Sequence, residues 1–160
     1  MAKSMHEIIV DEMYMFMNET MNKENYYKYE LVHPYTATYW RFKSRSDTEH
    51  RIRMFPKVDK VTHKRYYEIK FGMYDSKLDA IIFDEPPEND DKVFNTHVKI
   101  AVDEIIKKHT QINEYRLPVV DEDLRRVRLY RIAINMYLDK NEWSVSIDNK
   151  NTLILKRNMK

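Results

Sequence analysis

Apolar residues recur at helical spacing from the start of the chain. Met5, Ile8, Ile9, Met13, Phe16, Met17 and Met21 form one stripe, with Lys3, Glu7, Asp11 and Asn18 between them, which is the period of an amphipathic helix. Ser4 and Glu7 form a capping-box pair, so a helix is predicted over about 4–21, ended by the polar run NKEN at 22–25. Its Met-rich stripe reads as core; the alternative is a partner-binding face, since Met surfaces adapt to varied partners. From 26 to 74 the period becomes two and β-formers dominate, in the runs YYKYELV, YTATYWRF, HRIRMF and RYYEIKFGMY. These predict an antiparallel meander, with turns at Pro34, at SRSDTE, and at Pro56 followed by KVDKVTHK.

Residues 75–90, DSKLDAIIFDEPPEND, make a connection of unusual length, in which Ala80 to Phe83 is expected to form a short extra strand or a plug on the core. A helix capped by Asp90 or Asp91 follows, its apolar face running through Phe94, Val98, Ala101, Val102, Ile105 and Ile106. Next come a strand at about 114–120, a helix from Asp121 to Asp139 with acidic residues in its first turn, and a hairpin at 142–157 around the turn D-N-K-N. The expectation is a single α+β domain over 1–160: a central, mostly antiparallel sheet of about six to seven strands with two or three packed helices. Its parts are the helix at about 4–21, the meander 26–74, a helix-strand-helix unit at 91–139 and the hairpin 142–157.

Composition narrows the chemistry. With 160 residues and 42% apolar content, the chain can bury one core. The absence of cysteine excludes disulfides, thiolate zinc sites and cysteine nucleophiles and fits a reducing compartment. Glu7, Asp11 and Glu12 interrupt the N-terminal apolar residues, which excludes a signal peptide or membrane span there and makes the cytoplasm the expected location. A net charge of +2 gives no global pull toward nucleic acid, so such binding needs a local patch. A single glycine, Gly72, cannot build a dinucleotide fold, a P-loop or a glycine-rich phosphate clamp.

The stretch from Tyr66 to Lys156, read as strand, helix, strand, helix and hairpin, resembles the core of the GNAT superfamily of acetyltransferases. RRVRLYRIAI, with Leu129 and Tyr130, is similar to the pattern ending in Leu-Tyr that the second of those helices often carries. A strand ending near FG, a helix starting near VF and an R-x-x-LYR-x-x-I segment also resemble small phage and bacterial proteins of unassigned activity. That second resemblance makes a phage accessory or virion protein an expected setting, in the host cytoplasm or the particle. The GNAT resemblance implies coenzyme A bound through its pyrophosphate by backbone N–H groups of a glycine-rich loop between the fourth strand and the next helix. Here that stretch has no glycine and carries Asp84, Glu85, Glu88, Asp90 and Asp91, which repel a pyrophosphate. No cofactor is therefore expected. The resemblance also implies Tyr130 as general acid, and Glu68 is a candidate base by position. The plainer readings are a core tyrosine and a solvent-facing strand carboxylate.

The six histidines, including His50 and His97, lack the spacing of a zinc motif, and no serine sits in a nucleophile turn. The acidic pairs do not match an EF-hand, so no metal is expected. The main binding candidate is basic: Arg125, Arg126, Arg128 and Arg131, with Arg41, Lys43, Arg51, Arg53, Lys64 and Arg65 interleaved with Tyr39, Trp40, Phe42 and Tyr66. Such a mixture suits phosphate tracking and base stacking. Twelve tyrosines, two tryptophans and ten methionines also suit a protein interface or homo-oligomer. The leading expectation is a non-enzymatic protein-interaction or structural module, with no membrane partner. The alternatives are an atypical N-acyltransferase using coenzyme A and a single-stranded nucleic-acid-binding protein.

Overall fold

The alternation of apolar and polar positions in the long central strands sorts side chains onto two faces of one sheet. The computed structural model describes residues 25–33, 38–82, 91–109, 111–118, 124–150 and 152–158, with the backbone alone for Asp91 and 124–129. The strands are β1 (Tyr29–Val32), β2 (Tyr39–Lys43), β3 (Glu49–Val58), β4 (Arg65–Asp75), β5 (Ala80–Ile82), β6 (Glu114–Pro118), β7 (Trp143–Ile147) and β8 (Thr152–Arg157). Helix α1 (Asp91–Lys99) runs on into a π-helical stretch, Ile100–Ile106, and α2 spans Leu124–Tyr137. The fold is α+β, with one large, mostly antiparallel sheet of eight strands and two helices among the described residues. The strand beyond the expected six or seven is β5, where Ala80–Ile82 pairs with the end of β4. The predicted helix at 4–21 lies outside the described residues.

The strand order is β1-β2-β3-β4-β6-β8-β7, with β5 on β4. Every pairing is antiparallel except β4 with β6, a parallel seam of two register pairs, Tyr67↔Tyr115 and Glu68↔Arg116. The crossover that parallel neighbours require is supplied by α1. The meander forms as its alternation predicts, but its edges move. Strand β1 starts at Tyr29, while Tyr26 and Tyr27 lie against α1: Tyr27 N–H donates to Thr96 Oγ1 at 2.8 Å and Asn95 Nδ2 to the Asn25 carbonyl at 3.1 Å. Strand β3 runs through Pro56, which the sequence reading put in a turn; Pro56 registers with Tyr67. Strand β2 pairs with β3 only as far as Arg53, so the proline falls where β3 has one open edge, a place that tolerates a missing N–H.

The inner face carries Trp40 and Phe42 from β2, His50 and Ile52 from β3, Ile69 and Phe71 from β4, and Leu153 and Leu155 from β8, most of them buried. Helix α1 covers it with Val93, Val98 and the π-helical stretch, and α2 with Tyr130, Ala133 and Ile134. The π-helical turn follows from apolar spacing. Ile100 and Ile105, and Ala101 and Ile106, stand five apart and are all buried, the repeat of i→i+5 bonding; Lys107 N–H donates to the Val102 carbonyl at 2.9 Å.

Tyr115, at the seam, is fully buried, and its hydroxyl meets no hydrogen-bond partner among the described residues. Burial pushes its phenol far above the usual range. Leaving a hydroxyl unsatisfied in the core costs about 1–3 kcal/mol. Replacing Tyr115 with Phe removes that cost while keeping the ring's contact with Trp143, at 5.9 Å between centroids. Thermal unfolding of Tyr115→Phe is expected to shift upward by about 2–4 °C; a clear drop would mean that the hydroxyl is satisfied in solution.

Candidate functional site

With both helices on the inner face, the outer face of the sheet is left without a helix among the described elements. Register places its side chains in rows across the strands. One row joins Glu30, Arg41, Arg51 and Gly72, and the next joins Val32, Tyr39, Arg53 and Lys70. Two cross-strand pairs are therefore like-charged, Arg41↔Arg51 and Arg53↔Lys70. Directly opposed like charges destabilise a sheet.

Carboxylates compensate Arg41, Arg51 and Lys70 but not Arg53. Glu30 pairs with Arg41, Glu49 with Arg51 at 2.5 Å, Glu68 with Lys70 at 3.3 Å, and Glu114 with Arg116 at 2.6 Å. Arg53 has no carboxylate within ion-pair distance among the described residues, and instead lies 4.6 Å from the centre of the Phe55 ring. Other guanidinium groups are likewise held on rings: Arg51 stands 3.3 Å from Tyr74 and 4.2 Å from Tyr39, and Arg116 stands 3.8 Å from Tyr66. Each such contact contributes about 0.5–1 kcal/mol where water reaches it and fixes a cation that would otherwise sample many rotamers.

The turn after β3 is tied to the same face. Asp59 Oδ1 accepts N–H donors from Val61 at 2.8 Å and Thr62 at 2.9 Å, while Oδ2 accepts from Arg116 at 2.7 Å. The Thr62 amide, then Arg116 and the Val61 amide, hold this carboxyl well below the usual carboxylate range. Asp59 and Glu114 together position Arg116 over Tyr66.

The residues singled out from the sequence separate in space. Tyr39 is half-buried on the outer face beneath Arg51, but Trp40 points inward and is 6% exposed. Period two forces this, since neighbours in a strand face opposite ways. Arg131 is exposed on α2, on the helical side; Arg125, Arg126 and Arg128 lie on the same helix, their side chains outside the described ones. Arg131 therefore does not share a surface with the strand arginines. Tyr130 is buried on the inner face, its ring 4.8 Å from Phe71 and 4.7 Å from Phe94. Glu68 faces outward to Lys70. An acid at Tyr130 and a base at Glu68 thus stand on opposite sides of the sheet and do not converge on one substrate.

His50 and His97 are both buried, with ring centroids 5.6 Å apart, in a cluster with Phe42 and Phe71. His50 keeps step with Ile52 along β3; its meeting with His97 depends on how α1 crosses the sheet. No three His, Cys, Asp or Glu residues gather to hold a metal ion among the described residues. No described helix is long and apolar enough to cross a membrane.

Two other places could take a ligand. A cleft of ≈ 150 Å³ between Tyr26, α1 and Tyr137 contains Lys99, Asp103 and Lys107. It falls below the about 300–1,000 Å³ of small-molecule sites, and Asp103 already bridges Lys99 at 3.0 Å and Lys107 at 3.5 Å. The other is the edge of β4 beyond the parallel seam. There β5 pairs with Met73–Asp75, and the Ile82 carbonyl lies over Gly72, 2.2 Å from where a Cβ would stand. The chain itself occupies that edge. Compared with known proteins, no family model, curated protein or solved structure matches the chain.

Proposed function

We propose that this chain is a non-enzymatic binding module built on a GNAT-like scaffold, and that the outer face of its sheet docks an acidic macromolecular partner. The scaffold reading is supported by the run β4, α1, β6, α2, β7–β8, the strand, helix, strand, helix and hairpin order of the family's core. The binding reading rests on one observation, the adjacent like-charged pairs Arg41↔Arg51 and Arg53↔Lys70. Each costs the sheet a few tenths of a kcal/mol or more; Glu30, Glu49 and Glu68 offset part of it, and an acidic partner supplies the negative charge that Arg53 lacks among the described residues. The resemblance to phage proteins makes a phage accessory or virion protein the setting for this role.

A second reading, an N-acyltransferase using coenzyme A, is favoured by Tyr130, which packs on Phe71 beside the point where β4 and β6 part. Against it stand the glycine-free acidic loop and the occupied edge of β4. Calorimetric titration separates the two. The expected result is no heat with coenzyme A or acetyl-coenzyme A, and binding of poly-glutamate that Arg53→Glu weakens. Micromolar coenzyme A binding would replace the first reading with the second, and Tyr130→Phe would then be the variant to assay.

A further inference from the structure

We infer that the acidic partner is a single-stranded nucleic acid, lying across the outer face with its phosphates on the Arg41–Arg51 and Arg53–Lys70 rows and its bases on the adjoining rings. This rests on the binding-module reading and adds to it the aromatic component, which an acidic protein does not need.

The rings and the cations belong to one surface. Phe55 sits on the strand of Arg53 and is directly opposite Glu68, one row from Lys70. Its ring is 4.6 Å from the Arg53 guanidinium and 5.7 Å from the Lys70 ammonium. Tyr66 lies in the next row, opposite Lys57, under Arg116. A base offers a π-face to a ring or a guanidinium plane irrespective of sequence, and each such stack is worth roughly tenfold in affinity or more. Adjacent side chains on one face of a strand stand about 6.6 Å apart, close to the reach of one nucleotide. A sheet presents such groups over a broad open surface, which suits an unpaired strand whose bases can splay; a duplex hides its bases and is read through its grooves.

Electrostatics supplies the remaining discrimination. Four cations in two rows, contacting four phosphates, give a salt dependence of about −3 in log K against log salt for a single strand. The cations are held in place by rings and carboxylates, so less rotamer freedom is lost on binding.

The test is fluorescence anisotropy of a labelled twelve-residue oligothymidylate with the full chain at rising salt, beside oligouridylate, a duplex and poly-glutamate. Expected are binding to both single strands with a slope of about −3, weaker binding to the duplex, and weaker binding to poly-glutamate. Arg53→Glu is expected to reduce oligonucleotide affinity at least tenfold. Its thermal midpoint should stay level or rise, because a carboxylate then faces Lys70; binding loss through unfolding is thereby excluded. Phe55→Leu, which keeps an apolar side chain but removes the ring, should weaken the oligonucleotide severalfold and leave poly-glutamate unchanged. Equal binding of poly-glutamate and oligonucleotide, with Phe55→Leu silent, overturns the nucleic-acid inference and leaves an acidic protein partner. Binding of none of these polyanions overturns both readings.

Discussion

Gly72→Val should destabilise the fold by about 2–3 kcal/mol, lowering the midpoint of thermal unfolding accordingly. Ordinary strand propensity predicts the opposite sign, since Val outranks Gly by up to about 1 kcal/mol in a sheet. The clash decides. The Ile82 carbonyl oxygen lies 2.2 Å from the Cβ position and its carbon 3.1 Å away, and both are backbone atoms that cannot rotate aside. Overpacking of this kind costs about 1–3 kcal/mol, and the β4–β5 pairing at Met73↔Ile82 must shift to relieve it. Chemical denaturation of the variant checks this; a midpoint equal to or above that of the parent would show that Ile82 of β5 does not lie over Gly72 in solution.

Phe71→Ala is the second substitution with a large expected effect, about 3 kcal/mol. Its ring touches His97 of α1 and Tyr130 of α2, each at 4.8 Å between centroids, so this one side chain joins both helices to the sheet. Phe→Ala truncations in cores cost about 3–5 kcal/mol, and the half-buried state of Phe71 puts the loss at the lower end. Because the lost contacts are those of α1 and α2, amide exchange should accelerate in both helices more than in β1–β3. A loss below about 1 kcal/mol, or one spread evenly over the sheet, would contradict the bridging role.

The fold was legible where one signal ruled. Period-two alternation in 65–75 set the facing of β4. The hairpin at the end of the chain formed around the predicted turn. What the sequence hid depends on long-range geometry. The register that puts Arg53 against Lys70 joins residues seventeen apart through a turn whose length the pattern does not set, and the β2–β3 register that puts Arg41 against Arg51 is equally hidden. Trp40 was grouped with the binding surface because it adjoins Tyr39 and Arg41 in the chain, whereas alternate facing sends it to the core. Pro56 looked like a breaker because its open edge is visible only once β2 is seen to stop short. The role of Gly72 was equally hidden: its φ is not positive, so close approach, and not a turn, requires it. Arg131 belongs to the densest basic run in the sequence, yet α2 lies on the inner-face side, away from Arg53.

The sheet also tapers. Its central strands β3 and β4 have ten and eleven residues, while the strands at its two rims, β1 and β7, have four and five. Short rims offer little unpaired backbone for another chain to template on, which is a recurrent protection against edge-to-edge aggregation. Along β7, Ser144 and Ser146 are exposed, and Glu142 and Lys140 flank it, so that edge is polar and readily hydrated. A molecule shaped this way discourages self-association through its margins while keeping its broadest, most regular area in the middle, where a partner meets side chains and not bare amides.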